Sequence, residues 1–355
     1  MLEEIAAASR SIRLETYIFE ADATGEQFRD ALVKACQRGV SVQVLVDALG
    51  SVRLPTAFWD PLVRAQGQFA WFNPLSLRRW SYRDHRKLLV VDGEVGVIGG
   101  FNIAQAYNGD GVSRGWRDLG LYITGSLVGE LSASFDWFFA RATARHKPLQ
   151  RLRKAPNRIA TGKNWKLIFS GPGRHHGDLK RTLTTDLKAA RSVKIICAYF
   201  LPTWRLRKEL MRVSKRGGRV QLILAGKSDV VLSQLAGRRL YRSFFRAGVE
   251  IFEYQPQILH AKMFILDDIV YAGSANLDVR SLRINYELLV RISDPELAAQ
   301  ARSIFESDLA QSRRIEPATW RKSRNFWNKL RENWAYFVLA RIDPYFAGKQ
   351  LKTLR

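Results

Sequence analysis

Hydrophobic residues occur along this chain in short runs separated by stretches of helical spacing, and the order of runs is traversed twice. In the first half they fall at 11–19, 40–47 and 68–72; in the second, at 192–200, 219–225 and 248–253. Between the first and second run of each set a helical pattern ends, at Gly39 or at Gly217. Apolar runs of this length alternating with helical stretches predict the strands of a largely buried sheet, so each half reads as an α/β domain.

Residue matches support the duplication. Arg10-Ser-Ile-Arg-Leu returns as Arg191-Ser-Val-Lys-Ile, displaced by 181; Arg38-Gly-Val-Ser-Val-Gln-Val-Leu-Val returns as Arg216-Gly-Gly-Arg-Val-Gln-Leu-Ile-Leu, displaced by 178. His85-Arg-Lys returns as His260-Ala-Lys, displaced by 175. Matches in one order with steadily shrinking offsets indicate a duplicated unit trimmed in its loops. The predicted organisation is a first domain over 1–144, a linker over 145–166, a second domain over 167–315 and a tail over 316–355. The linker carries Arg145, Lys147, Arg151, Arg153, Lys154, Arg158, Lys163 and Lys166 with Pro148 and Pro156 and no acid. Such a run reads first as a solvated connector and second as a phosphate contact.

Composition narrows the partners. The 355 residues include 57 Lys and Arg against 33 Asp and Glu, a net charge of +24, which favours polyanions: nucleic acid or anionic lipid head groups. Cys36 and Cys197 belong to no CxxC or Cys/His cluster, which suits a reducing compartment and excludes a zinc ribbon. No window reaches the roughly 18 uninterrupted apolar residues of a membrane span. Glu3, Glu4, Arg10, Arg13, Glu15 and Glu20 stand where a signal peptide would need an apolar core. The expectation is a cytoplasmic protein with no span.

The chemistry concentrates in two matching segments. The first reads His85-Arg-Lys87-Leu-Leu-Val-Val-Asp92, then Gly99-Gly100-Phe-Asn102; the second reads His260-Ala-Lys262-Met-Phe-Ile-Leu-Asp267, then Gly273-Ser274-Ala-Asn276. Residues two apart on a strand share a face, so each His/Lys pair projects together while the following apolar residues enter the core. Two such strands related by a pseudo-twofold axis would bring two imidazoles and two ammonium groups to one site. One neutral imidazole can attack phosphorus to form a phosphohistidine, and the other, protonated, can supply the proton an alkoxide leaving group needs. Lysines and asparagines would hold the non-bridging oxygens, so no metal or other cofactor is called for. The candidate catalytic set is His85, Lys87, Asp92, His260, Lys262 and Asp267. The two aspartates, at strand-ending turns, read as structural members of the motif.

This duplicated HxKx4D pattern resembles the phospholipase D superfamily. Closer features are similar to bacterial cardiolipin synthases: Leu14-Glu-Thr-Tyr-Ile-Phe19, Ile98-Gly-Gly-Phe-Asn-Ile103, Trp116-Arg-Asp118, Phe252-Glu-Tyr254, Leu259-His-Ala-Lys262, Gly273-Ser-Ala-Asn-Leu-Asp278 and Asn285-Tyr-Glu287. The resemblance implies two pseudo-twofold-related phospholipase D-like α/β domains, with mixed sheets flanked by helices and the active site at their interface. It implies a phosphatidyltransferase that joins two phosphatidylglycerol molecules into cardiolipin. Similar synthases carry a segment before the first strand, some with two membrane helices; here the first strand is expected near residue 11, so those helices are expected to be absent. The supporting set carried over is Asn102, Asp118, Ser274, Asn276 and Glu287. Asp118 follows His85 by 33 residues and Glu287 follows His260 by 27, and each is expected to take the Nδ1 proton of its own half's histidine. The alternative for Asp118 is a surface ion pair with Arg117. Gly100 stands where the second motif has Ser274, so a hydroxyl contact to phosphate is expected in one half only. The family's habit makes His85 the nucleophile and His260 the general acid, later base.

The tail combines nine Lys or Arg and three acids with eight aromatic residues. Trp327, Leu330, Trp334, Phe337 and Val338 share a helical face, with Arg324, Lys329, Arg331 and Glu332 largely off it, until Pro344. A basic amphipathic helix with Trp on its apolar face fits an anionic membrane surface; the alternative is a terminal helix packed on the second domain. Tail and site are expected to be separate stretches. The expected protein is thus peripheral on the cytoplasmic side of the cell membrane, active as a monomer, with phosphatidylglycerol as substrate. A phosphodiesterase or nuclease of the same superfamily is the rival, and a non-enzymatic nucleic-acid binder stands third. The acceptor stays open between phosphatidylglycerol, phosphatidylethanolamine, glycerol, another alcohol and water.

Overall fold

The computed structural model describes residues 1–74, 82–143, 159–171, 177–343 and 345. The first half runs α1 (Leu2–Ala7), β1 (Ser11–Thr16), α2 (Ala23–Gln37), β2 (Ser41–Asp47), α3 (Asp60–Arg64), β3 (Gln68–Phe72), β4 (Leu88–Val91), β5 (Val95–Gly99), β6 (Gly120–Thr124) and α4 (Leu127–Thr143). Its sheet has the order β3-β2-β1-β4-β5-β6. Strands β1 to β3 are parallel, and β4, β5 and β6 continue antiparallel from β1.

The second half repeats that plan with additions. It contains β7 (Ile159–Thr161), β8 (Trp165–Ser170), α5 (Asp178–Ala189), β9 (Ser192–Cys197), α6 (Trp204–Lys215), β10 (Arg219–Ala225), α7 (Val231–Arg238), α8 (Tyr241–Phe245) and β11 (Glu250–Tyr254). It continues with β12 (Lys262–Leu266), β13 (Ile269–Gly273), α9 (Val279–Arg283), β14 (Glu287–Ser293), α10 (Pro295–Ala310) and β15 (Ser312–Arg314). Its sheet is β15-β11-β10-β9-β12-β13-β14-β8-β7. The run β11 to β14 has the order and strand directions of β3 to β6. Within the predicted linker, 145–158 lies outside the described residues, while β7 and the start of β8 already belong to this second sheet.

The two sheets share a core. Leu45, Leu88, Val90 and Ile98 of the first sheet pack with Phe135 and Phe138 of α4 and with Leu167, Leu288 and Val290 of the second. The remaining faces are covered by α1, α2 and α3 on one side and by α5 to α8 and α10 on the other. Burying apolar surface from both halves in one cluster fixes their relative placement, which a site shared between them requires.

The tail forms α11 (Pro317–Ser323) and α12 (Phe326–Phe337), extended by a π-helical turn at Val338–Ile342. It packs on the second half along one face only. Glu332 and Ala335 are buried against the second half, where Trp320 and Ala335 join the core that contains Leu240 and Tyr241. The opposite face leaves Trp327 67% and Trp334 60% exposed, with Phe326, Leu330 and Phe337 also in solvent. Pro344 and Phe346 lie outside the described residues. No helix among those described is long and apolar enough to cross a membrane.

Candidate active site

Strand β4 runs antiparallel to β1, so the residues that enter β4 lie at the carboxyl end of β1, where open α/β sheets bind ligands. His85 precedes β4, and Lys87 immediately adjoins its first residue. Strand β12 repeats the geometry beside β9, with Lys262 as its first residue and His260 just ahead. The loop before His85 is tied down by Asp47 at the end of β2, which accepts the Asp84 amide at 2.9 Å and pairs with Arg83 at 3.3 Å.

Each histidine is then stitched to the other half. The His85 amide donates to the Tyr286 carbonyl at 3.0 Å, and the His260 amide donates to the Arg117 carbonyl at 2.8 Å. Tyr286 and Arg117 immediately precede the two supporting carboxylates. Consequently Glu287 reaches His85, with Nδ1 3.3 Å from Oε2, and Asp118 reaches His260, with Nδ1 2.6 Å from Oδ2. This corrects the expected pairing within each half: the carboxylates cross. The cause is topological, because the ends of β6 and β14 face the opposite half across the shared core. The surface-pair alternative for Asp118 also falls away, since Arg117 binds Asp308 of α10 at 2.8 Å.

Both histidines line one cavity of about 380 Å³. With each Nδ1 facing its carboxylate, Nε2 is left as the reactive nitrogen. Asn102 and Asn276 also line the cavity, with Oδ1 accepting the amides of Ile18 and Tyr199 at 3.1 Å each. That contact leaves the amide nitrogens as the groups available to a ligand. Asn102 Nδ2 donates to the Tyr107 hydroxyl at 2.7 Å.

The lysines stand behind the histidines. Lys87 Nζ donates to the His85 carbonyl at 2.6 Å, and Lys262 Nζ donates to the His260 carbonyl while lying 2.9 Å from Nδ1 of that ring. Neither lysine lines the cavity itself; each stands one layer behind it, placing its charge against the histidine of its own motif. Burial, followed by the charge of Lys87, pushes His85 down to about 4, against the pull of Glu287. His260 is lowered for the same reasons, by burial and then Lys262, against Asp118. Burial pushes Lys87 down to about 7 and lowers Lys262 as well. Both shifts favour the neutral imidazoles, and a bound phosphodiester anion would favour protonation of one.

Two expectations change in detail, for Ser274 and for the tail, while the two motif aspartates leave the catalytic set for the structural part already read for them. Ser274 makes no contact with the cavity; its hydroxyl donates to Glu287 Oε2 at 2.5 Å and accepts the Leu288 amide at 3.0 Å, so it orients the carboxylate. Asp92 and Asp267 lie at the far ends of β4 and β12, about 16 Å of extended chain beyond the lysines, and cannot reach the reacting atoms. Asp92 instead accepts the amides of Ser9, Arg10 and Ser11 at 2.9, 2.7 and 2.7 Å, and Asp267 accepts those of Arg191 and Ser192 at 3.2 and 2.8 Å. Finally, the tail is not separate from the site: Leu339 and Asp343 line the cavity.

Tyr17 and Trp116 stand in segments that carry the resemblance, but the sequence reading gave no aromatic residue a place at the histidines. The Tyr17 ring lies 4.8 Å from His85, whereas Tyr107, Trp116 and Tyr199 surround His260 at 5.3, 5.7 and 6.1 Å. A signal existed in the repeat, because Tyr17 and Tyr199 follow β1 and β9 one register position apart.

Comparison with known proteins follows the same division into halves. Residues 1–136 and 183–309 match the family described as cardiolipin synthase, PLD-like domain. The chain belongs to this family. Among curated members, cardiolipin synthase 1 of Bacillus anthracis is 32% identical over 331 residues, covering 89% of this chain and 65% of its own length. The major cardiolipin synthase ClsA of Bacillus subtilis (strain 168) is 31% identical, covering 94% and 70%. Cardiolipin synthase A of Pseudomonas aeruginosa (strain LESB58) is 32% identical, covering 91% and 67%. The chain thus spans about two thirds of the length of these family members. Among solved structures, phosphatidylserine synthase of Haemophilus influenzae Rd KW20 superposes with a TM-score of 0.72 at 15% identity, covering 98% of this chain and 91% of that one. The polyphosphate kinase of Porphyromonas gingivalis gives 0.60 at 16% identity, over 98% and 50%. At these identities the structures establish a common fold.

Proposed function

We propose that the protein is a phosphatidyltransferase that joins two phosphatidylglycerol molecules into cardiolipin and releases glycerol. The observation that carries this reading is the pair of histidines facing one cavity, each with Nδ1 held by a carboxylate from the other half. In the first step His85 Nε2 attacks phosphorus and an N–P bond forms. The bond from phosphorus to the glycerol oxygen breaks, and His260 gives its proton to that oxygen. In the second step the hydroxyl of another phosphatidylglycerol gives its proton to His260 and attacks phosphorus. The N–P bond breaks, returning neutral His85. Lys87, Lys262, Asn102 and Asn276 would stabilise the non-bridging oxygens as charge develops.

Lipid rather than nucleic acid is favoured by what surrounds the cavity. Leu339 lines it, and the same tail exposes Trp327, Trp334 and Phe337. Aromatic side chains on a basic helix suit the interface of an anionic bilayer, so the chain would act peripherally on the cytoplasmic face; because one chain brings both histidines to one cavity, a monomer would suffice. Incubating the purified chain with labelled phosphatidylglycerol vesicles and separating the lipids tests the reading. Labelled cardiolipin with free glycerol is the expected result; phosphatidic acid alone would make it a hydrolase of the same superfamily.

A further inference from the structure

The repeat supplies both halves of the cavity with a histidine and an asparagine, with a lysine behind each histidine, yet the two phospholipids in the reaction proposed above play different parts. One donates its phosphorus to histidine; the other offers a hydroxyl and keeps its phosphate intact. A symmetric site cannot distinguish them. Two arginines line the cavity without a counterpart in the other half: Arg83, two before His85, is buried against Asp47, and the partly exposed one is Arg280, four residues after Asn276, where the position four after Asn102 is Ala106. The Arg280 guanidinium is already gripped as it would grip an anion. Nε donates to Asp343 Oδ2 at 2.8 Å and a terminal nitrogen to Oδ1 at 2.5 Å, the two-pronged geometry that arginine uses for carboxylate and phosphate alike. Asp343 comes from the tail, one turn beyond Leu339, and both groups are partly exposed to the cavity.

We propose that Arg280 binds the non-reacting phosphate of the acceptor phospholipid, and that Asp343 occupies that position until the acceptor displaces it. The inference rests on the phosphatidyltransfer reading and deepens it: the acceptor is an anionic phospholipid, selected by its phosphate over alcohols or water that lack one. Asp343 sits on the tail segment that continues the exposed aromatic face.

The test uses the full chain on phosphatidylglycerol vesicles with labelled free glycerol, which scores two acceptors of one intermediate. Cardiolipin reports the acceptor with a phosphate, and label entering phosphatidylglycerol reports the acceptor without one. The ratio of the two is independent of the fraction of protein that is folded. Arg280→Gln should lower that ratio at least about tenfold, the scale of a lost charge-assisted bidentate contact, and Arg280→Lys should recover part of it. Asp343→Asn should raise the ratio at low phosphatidylglycerol content. An unchanged ratio in Arg280→Gln, whether both rates fall or neither does, overturns the assignment. A fall of the ratio in Asp343→Asn overturns the role given to the carboxylate. Formation of neither product by the unaltered chain would instead overturn the transferase reading beneath it.

Discussion

Asp118 and Glu287 differ by one methylene, and the residues behind the histidines match that difference. A Cβ at Gly100 would lie 2.3 Å from Asp118 Oδ1, so the shorter carboxylate packs directly on bare backbone; at the equivalent place the Ser274 hydroxyl meets the longer Glu287. Crossed pairing gives a sharp expectation that holds whichever histidine is the nucleophile. Asp118→Ala should reproduce the kinetic defect of His260→Ala, and Glu287→Ala that of His85→Ala, each with losses of about 10²–10⁴. Comparing natural lipid with a nitrophenyl phosphodiester, whose leaving group needs no proton, checks this. Only variants that impair the acid should be rescued by the better leaving group, and rescue of Glu287→Ala together with His260→Ala would contradict the crossing. Asp92 calls for a different outcome. Although desolvation pulls its pKa upward, the amides of Ser11, Ser9 and Arg10 hold it down to about 2. A carboxyl depressed in the fold contributes stability above its unfolded pKa, near 3.8, and loses it as pH falls toward 2. Asp92→Ala should cost about 1–2 kcal/mol of stability at pH 7, as for a lost helix cap, read as a lowered thermal midpoint, with turnover per folded molecule retained. A large loss of turnover in fully folded protein would place Asp92 in the chemistry after all.

Among the elements, strands were the most legible. The apolar runs at 40–47 and 219–225 appear as β2 and β10, and the Arg10/Arg191 match marks the starts of β1 and β9. Local periodicity reports burial, and these strands are buried on both faces. The crossing of Asp118 and Glu287 was illegible because it depends on how the two sheets meet through Leu88, Leu167 and Val290, which sequence spacing does not encode. The same holds for α12: its pattern shows one apolar face, yet the face that docks carries Glu332 paired with Arg324, and the aromatic face stays in solvent. Replacing Trp327, Trp334 and Phe337 together by Ser should lower partitioning onto anionic vesicles by at least about tenfold, since each buried aromatic contributes on the order of 1.5–3 kcal/mol. The melting curve should be unchanged. Undiminished vesicle binding would contradict the membrane role of that face.

At the scale of the whole molecule, duplication makes the reaction centre and departures from it make the reaction directional. Among the described residues, His260 is enclosed by three aromatic rings and His85 faces one, so the two imidazoles are similar in chemistry and unequal in surroundings. Their protonation sets the pH dependence. With a nitrophenyl phosphodiester, His85 must be neutral and Lys87 charged. The value of kcat/KM should therefore fall below about pH 4, as His85 gains a proton, and above about pH 7, as Lys87 loses one. A rate unchanged from pH 7 to pH 9 would contradict the lowered pKa of Lys87. The central claim is a covalent intermediate on one of two histidines drawn from different halves of one chain. Acid quenching the chain during turnover of phosphatidylglycerol labelled in its phosphatidyl group, followed by peptide mapping, tests it most directly. The account predicts label on His85 in the unaltered chain, and on His85 in His260→Ala when the donor is a nitrophenyl phosphodiester. Label on His260, or no covalent phosphate in either protein, would contradict it.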